Sequence, residues 1–363
     1  MLKPLGQYVR GARTIARLRG RRWAGVLRQA LTCRLRHGLG LLDFGFFDLC
    51  ELPPEEWGEF LSKREHNLLL MQLNPWLYIP HVGDKVEFFQ RCRDRGLPTA
   101  RVRALIHPTR RSPSVAALGS TDAVRAYFDE LELGDEVIVK PSGGGGGVSL
   151  QSVRSGAAGM TDMNGTPLQL GDLPDQWLAD PFGFVVQDRL RQHEDLAPLM
   201  PGEALGTLRV VTAHDGQQAS VMYAFVKAVV PGQQLDNFCR GSTGNILVGV
   251  DAETGVMHEG FRAVDSSAPW LLDRIRAHPD TGFGFEGAPL PHWSACRDLA
   301  LRAASEFPYL RSIGWDIAAT DRGPHIIEGN CGWSPDFPQL CLRRGIRTRI
   351  EGLVNSLPRR SPP

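Results

Sequence analysis

The sequence predicts an α+β protein, with helical segments ahead of antiparallel hairpins that make up its second half. Trp23, Val26, Leu27, Ala30, Leu31, Leu35 and Leu39 recur at helical spacing. Asp215-Gly216 separates two β-rich runs, LGTLRVVTAH and QQASVMYAFVKAVV, which is the strongest short mark of a hairpin. Two further hairpins are written in ILVGVD-AETG-VMHEG and IGWDIAAT-DRG-PHIIEGN.

Taken in order, residues 1–40 hold Lys3 and nine arginines but no acid, and the first carboxylate is Asp43. The whole chain has a net charge of +1, so the remainder carries −9. The stretch 23–39, with Arg28, Arg34 and Arg36 among its apolar positions, reads as a helix packed on the domain behind it. The same pattern would also serve as an interfacial helix on an anionic membrane, or as a nucleic-acid arm. Residues 52–56, paired prolines and then acids, read as a turn and a helix start. DKVEFFQRCRDRG, from Asp84, reads as a helix closed by Gly96. A strand-rich pattern begins beyond Val102. A helix around 121–131 then precedes Val137-Ile138-Val139, a β-branched run that stops at Lys140. A helix near 293–306 leads into the third hairpin, and the tail SLPRRSPP is expected to be disordered.

At 363 residues the chain suits about two domains. Its 42% hydrophobic and 22% charged residues are an ordinary globular balance, which argues against a disordered or fibrous protein. No run approaches the ~20 apolar residues that a membrane span requires. Arginines interrupt each candidate apolar core of a signal peptide. The seven cysteines (33, 50, 92, 239, 296, 331 and 341) include no C-x-x-C pair, so neither a disulfide framework nor a zinc knuckle follows. A reducing cytoplasm is the simplest setting, and the overall charge does not demand nucleic acid as a partner.

Two stretches carry chemistry. In VIVKPSGGGGGVSL, 137–150, a buried strand delivers one lysine and five glycines follow, Gly143, Gly144, Gly145, Gly146 and Gly147. Ordering so many glycines has a large entropic cost, unless backbone N–H groups must approach a ligand closely. A glycine flap with a cation at its base suits a polyphosphate. It is neither a Walker A loop nor G-x-G-x-x-G. In GWDIAATDRGPHIIEGN, 314–330, Glu328 and Asn330 lie two apart and share a strand face. The turn at Asp321-Arg322-Gly323 returns the chain beside the strand that carries Asp316. Two carboxylates and an amide oxygen can converge there, a hard-oxygen set that suits Mg²⁺.

VIVKPS with its glycines, followed by D-x(11)-E-x-N, resembles the ATP-grasp superfamily, whose D-alanine–D-alanine ligases share the pattern. TLRVVT (207–212), LDNFCRGSTG (235–244), VDAETG (250–255) and WDI…EGN resemble the sugar-transfer-associated, or α-L-glutamate-ligase-related, group of that superfamily. The resemblance spans roughly residues 80–345 and implies an ATP-grasp fold, two α+β subdomains clamping ATP behind an N-terminal helical region. The expected divisions are a basic helical region over 1–80, a lid subdomain with the glycine-rich loop over 81–190, a catalytic subdomain over 191–348 and a tail over 349–363.

The resemblance also implies ATP and Mg²⁺ as cofactors. Lys140 would contact the phosphates and adenine, and Gly143–Gly147 would fold over the phosphates. VVQDRL, 185–190, would form the hinge where Gln187, Leu190 and backbone groups hold adenine, with Glu194 or Asp195 on the ribose. Asp316, Glu328 and Asn330 match the magnesium ligands. Arg209 and Lys227 are the cations for the transferred phosphoryl group or the substrate carboxylate. Simple register weighs against pairing them: a two-residue turn at Asp215-Gly216 sets Arg209 opposite Met222 and puts Lys227 on the other face. Asp236-Asn237 with Arg240 reads as a turn-rich polar loop near the site, and Asp84-Lys85 resembles the start of the family's nucleotide-binding region.

The activity implied is an ATP-dependent carboxylate–amine ligase, working through an acyl phosphate and releasing ADP and phosphate. The alternatives are a kinase acting on a sugar or other hydroxyl, and a nucleotide-binding module without catalysis. A role in polysaccharide biosynthesis is implied by the group alone. The expected partners are small-molecule carboxylates and amines, with a peripheral contact to the inner membrane face through residues 1–40 as a further reading.

Overall fold

The computed structural model describes residues 5–144, 150–202, 204–233, 235–265 and 267–357. Gly145, Gly146 and Gly147 and the last six residues of the tail therefore lie outside the described residues.

Helices α1 (Leu5–Leu18), α2 (Trp23–His37), α3 (Leu41–Phe46) and α4 (Lys63–Leu73) come first, then α5 (Pro80–Gly83) and α6 (Lys85–Asp94). Strands β1 (Val102–Ile106), β2 (Ala116–Leu118), β3 (Glu136–Pro141), β4 (Gln151–Gly156), β5 (Gly159–Thr161) and β6 (Phe184–Asp188) form one sheet, ordered β2-β1-β6-β3-β4-β5. Helices α7 (Thr121–Asp129) and α8 (Leu173–Ala179) belong to this half. The second sheet comprises β7 (Thr207–His214), β8 (Ala219–Ala228), β9 (Ile246–Val250), β10 (Met257–Ala263), β11 (Leu272–Ile275), β12 (Ser312–Thr320) and β13 (Gly323–Asn330). Its order is β11-β10-β9-β8-β7-β12-β13, and every neighbouring pair in it is antiparallel. Helix α9 (Trp293–Glu306) precedes β12, and α10 (Asp336–Leu342) and α11 (Arg347–Asn355) follow β13. The tail expected from residue 349 thus begins inside α11, whose Ile350 is fully buried.

Alternation along the strands of the second sheet assigns its two faces. Leu208, Val210, Ala224, Val226, Trp315 and Ile317 pack against α9 through Leu299, Ala300 and Ala303. Val211, Phe225 and Leu247 of the other face share a core with the N-terminal helices, from Tyr8 to Leu73. Helix α2 joins that core through Val26, Ala30 and Cys33, the packing expected of it, although Leu35 of the same apolar series stands exposed. Arg209 and Asp316 lie on the face that the N-terminal helices cover, so these helices wall the site rather than stand apart from it. Asn74 fixes this wall to the site hairpin: its amide donates to Ser312 O (2.7 Å) and Cys331 O (3.0 Å), and its Oδ1 accepts from Ser312 N (3.0 Å). Gly345 lies so close to Glu59 that a Cβ there would stand 2.0 Å from its carbonyl carbon, an approach only glycine permits.

In the first sheet Val137 and Val139 face the small core with Val124, Phe128 and Trp177, which turns Ile138 and Lys140 to the opposite side. Helix α6 starts where the sequence places it. Asp84 is its N-cap and accepts from the Val86 and Glu87 N–H groups at 3.0 Å each, and Gly96 closes the helix with φ +63°.

Candidate functional site

A cavity of about 650 Å³ lies between the two sheets. Lys140, Gly143 and Gly144 line it from the first sheet, and Arg209, Lys227, Asp316, Glu328 and Asn330 line it from the second. Lys63, Lys85, Asp180 and Asp236 complete its charged lining among the described residues, so five cations there meet four carboxylates. Beside it a narrower cavity of about 140 Å³ shares Lys140 and Asp236 and is walled by Ile138, Gln187, Leu190 and Leu205.

Residues that the sequence sets far apart form one row across four strands. Glu328 pairs with Asp316, and Asp316 with Arg209, while Lys227 faces Thr207 one step along β7. Two single-residue irregularities make this possible. In β12–β13 the register shifts at Ile327; without that shift Asp316 would face Ile327 instead of Glu328. The hairpin at Asp215-Gly216 differs from the simple expectation. Asp215 N bonds to Gln218 O (3.3 Å), so the turn is centred one residue later, and a bulge at Met222 adds another shift. Arg209 therefore faces Phe225 rather than Met222, and Lys227 shares its side of the sheet. Both cations reach the cavity, where simple register admits one.

The centre of this row is a buried ionic cluster. Arg209 grips Asp316 with two parallel bonds, the Nη2–Oδ2 distance being 2.7 Å. Lys227 Nζ lies 2.9 Å from Asp236 Oδ2 and 3.3 Å from Asp316 Oδ2. Burial by itself would raise the Asp316 pKa, but the charges of Arg209 and Lys227 prevail and hold it well below the usual carboxylate range. For Arg209 and Lys227 burial works against protonation, and the carboxylates overcome it, so both stay charged.

Among the described residues Lys140 has no such partner. Burial, reinforced by the nearby Lys85 charge and opposed by Glu328, pushes its pKa down to about 8. Lys85 is also lowered by burial, against the pull of Glu328 and Asp84, and its Nζ donates to Gly144 O at 3.0 Å. A cation held below its ordinary pKa by burial gains from an anion placed beside it.

The metal expectation can be tested on the oxygen donors themselves. Asn330 Nδ2 donates to Glu328 Oε1 at 3.1 Å, and no described group donates to Asn330 Oδ1. Asp316 and Glu328 are direct partners across β12 and β13 and line the same cavity. Two carboxylates this close repel unless a cation lies between them, so the trio fits a hard divalent ion. Asp316 brings fewer open lone pairs than expected, since Arg209 and Lys227 already engage both its oxygens. Glu328 and Asn330 are the freer ligands.

Two expected contacts differ. Gln187 lines the narrow cavity, but its Nε2 donates to Ala100 O (2.9 Å), so that donor is spent on the neighbouring chain. Glu194 is exposed on the turn Glu194–Leu196 and lines neither cavity. Its neighbour Asp195 is turned to the start of α9, with Oδ2 2.9 Å from His292 Nε2. Arg240 serves the scaffold: it bonds Asp336 (2.8 Å) and Asp43 (2.9 Å), stitching α3 to α10. Lys63 enters the cavity without a motif that announces it, whereas Asp236 comes from the polar loop expected near the site and Lys85 is signalled by the Asp-Lys pair at the start of α6.

The sequence matches the sugar-transfer associated ATP-grasp family over residues 64–355. The chain belongs to that family. Its fold is the ATP-grasp fold, with α and β elements mixed as the sequence predicts. No curated protein matches the chain. Among solved structures it is similar to the D-cycloserine synthetase DcsG, with 14% identity, 80% of each chain covered and a TM-score of 0.40. The D-alanine–D-alanine ligase from Bacillus anthracis matches at 13% identity, over 75% of this chain and 66% of that one, with a TM-score of 0.39. The ATP-grasp ligase PsnB, solved with a precursor variant, Mg and ADP, matches at 16% identity over 78% of this chain, with a TM-score of 0.37. The match covers 60% of the PsnB chain.

Proposed function

We propose that this ATP-grasp protein is an ATP-dependent carboxylate–amine ligase that uses Mg²⁺. The observation that carries the reading is the single cavity in which Lys140 faces Asp316, Glu328 and Asn330, with Arg209 and Lys227 beside them. In this reading the two sheets are the halves of the clamp, divided near residue 190, and the narrow cavity walled by Ile138 and Leu190 takes adenine. Lys85 and Lys140 hold the phosphates. Glu328 and Asn330, with Asp316, hold the metal, which when bound neutralises charge on the phosphates. Arg209 and Lys227 stabilise the phosphoryl group in transfer.

The carboxylate oxygen of one substrate attacks the γ-phosphorus, and the bond to the β-phosphate oxygen breaks to release ADP. An amine then attacks the acyl carbon, loses a proton, and expels phosphate as the amide forms. No protein nucleophile is needed. Among the described residues the cysteines inside or beside the site offer none: burial pushes the Cys331 thiol up to about 12. Substrate carboxylate labelled with ¹⁸O is expected to pass one label into the released phosphate. Label retained wholly in a phosphorylated product would make the protein a kinase instead.

The low Lys140 pKa predicts a pH effect on nucleotide binding. A triphosphate beside Lys140 stabilises its ammonium form, so binding takes up a proton once the free amine is populated. Affinity for ATP is expected to be level below pH 8 and to fall as pH rises beyond it, the lysine titrating near 8 in the free protein. Titration calorimetry of Lys140→Met should show weaker binding without that decline; an unchanged profile would remove Lys140 from the phosphate site.

A further inference from the structure

A second cavity, of about 580 Å³, adjoins the first and shares Lys85, Gly144, Glu328 and Asn330 with it. Its far wall is apolar, made by Leu70, Met71, Ile79, Val82 and Phe88. Resting on the reading of the first cavity as the nucleotide site, we propose that this second cavity holds the acceptor substrate, and that the acceptor is a carboxylate carried on an apolar body.

The chemistry of the wall supports that substrate class. Between Glu65 and Asp84 the sequence contains no Asp, Glu, Lys or Arg, in a chain that is 22% charged. Burial accounts for only part of this stretch: Leu70, Leu73 and Val82 are inside. Leu68, Met71, Trp76, Leu77 and Ile79 stand in water, Met71 and Trp76 with 71% and 79% of their surface exposed. Tyr309, itself exposed, stacks on Tyr78 with ring centroids 4.9 Å apart and continues the surface towards β12. Scattered exposed apolar residues are normal, but a charge-free stretch whose exposed Met71 and Ile79 line a cavity marks a binding surface. A volume of this size is typical for a small-molecule ligand.

The polar end sets the orientation. Lys85 is the cation common to both cavities, and Glu328 and Asn330 mark the place of the metal and the transferred phosphoryl group. A carboxylate seated against Lys85 lies next to that group, and the rest of the molecule then has the Leu70–Phe88 wall and the lip at Met71 and Ile79 to cover. A short polar acid would leave both unused. An apolar chain or ring system would remove them from water.

The test uses the fluorescent carboxylate dansylaminoundecanoate and the full-length protein, with AMPPNP and Mg²⁺ present. The probe is expected to bind saturably and to be displaced by decanoate but not by acetate or glutamate. Met71→Glu and Ile79→Glu, both at exposed positions, are expected to weaken probe binding at least about tenfold, since losing cover over one side chain has that worth. Leu133→Glu, an exposed apolar site elsewhere, should leave it unchanged, and none of the three should alter AMPPNP binding. Probe binding that is absent, indifferent to Met71→Glu and Ile79→Glu, or displaced equally by glutamate would overturn the inference while AMPPNP still binds. Binding to phosphatidylcholine vesicles without binding to the monomeric probe would overturn it too, and make the lip a membrane contact. Failure of AMPPNP itself to bind would instead sink the nucleotide reading, and the acceptor role with it.

Discussion

Glu328→Gln is expected to slow ATP-dependent ADP release by at least about 10³-fold, the loss of several kcal/mol of metal-borne charge stabilisation. The substitution keeps the side chain's volume and its ability to accept from Asn330, so the fold has little to lose. Glu328 is only partly buried at the end of β13, and among the described residues its one direct side-chain donor is an amide. The Asp316–Glu328 repulsion is also relieved, which makes unchanged or slightly raised thermal stability the companion result. Mg²⁺ titration of the variant, followed by ADP release, should show saturation displaced to much higher metal concentration. Activity within tenfold of the parent at ordinary Mg²⁺ would remove Glu328 from the metal site.

Much of this arrangement is legible in the sequence, and the remainder is hidden for specific reasons. The span of α9, 293–306, the N-cap at Asp84 and the strand that delivers Lys140 follow from local pattern, because each is decided by nearby residues. The β12–β13 hairpin follows from its turn. What pattern cannot give is the register that brings charges together. Asp316 opposes Glu328 only because Ile327 is an extra residue in its strand, and Arg209 shares a face with Lys227 only through the bulge at Met222. Each bulge shifts the pairing by one, which moves every later side chain to the other face, whereas the displaced turn shifts it by two and keeps the faces. Such shifts are set by packing across the sheet, here between the N-terminal helices and α9, and no short motif encodes them. The participation of Lys63 is hidden in a similar way, since it arrives from a segment placed by tertiary contacts. The apolar lip was invisible for another reason: an uncharged stretch such as LLLMQLNPWLYI reads as core until its exposure is known.

The buried cluster makes Arg209 the residue whose loss should be felt most in stability. Arg209→Met is expected to destabilise the protein by about 3–5 kcal/mol, because breaking a buried pair leaves an uncompensated charge behind. Asp316 would retain only Lys227, which is already shared with Asp236. The effect carries a pH signature. In the parent, Asp316 titrates well below its ordinary range, so its share of stability is fully present above the unfolded carboxylate pKa of about 4 and is lost as pH falls through the lower folded value. In Arg209→Met the principal cause of that depression is gone and burial acts in the opposite sense, raising the carboxyl pKa. The stability gap between the two proteins should therefore be widest near pH 7 and narrow on acidification towards pH ~3, as the orphaned carboxylate takes up its proton. Urea unfolding at a series of pH values measures this directly. Adding Asp316→Asn to Arg209→Met should recover part of the lost stability at neutral pH, since the amide needs no counter-charge. A gap that is constant with pH and indifferent to Asp316→Asn would mean that Arg209 stabilises the sheet by packing alone, and that the ion pair at the centre of the site contributes nothing to holding it.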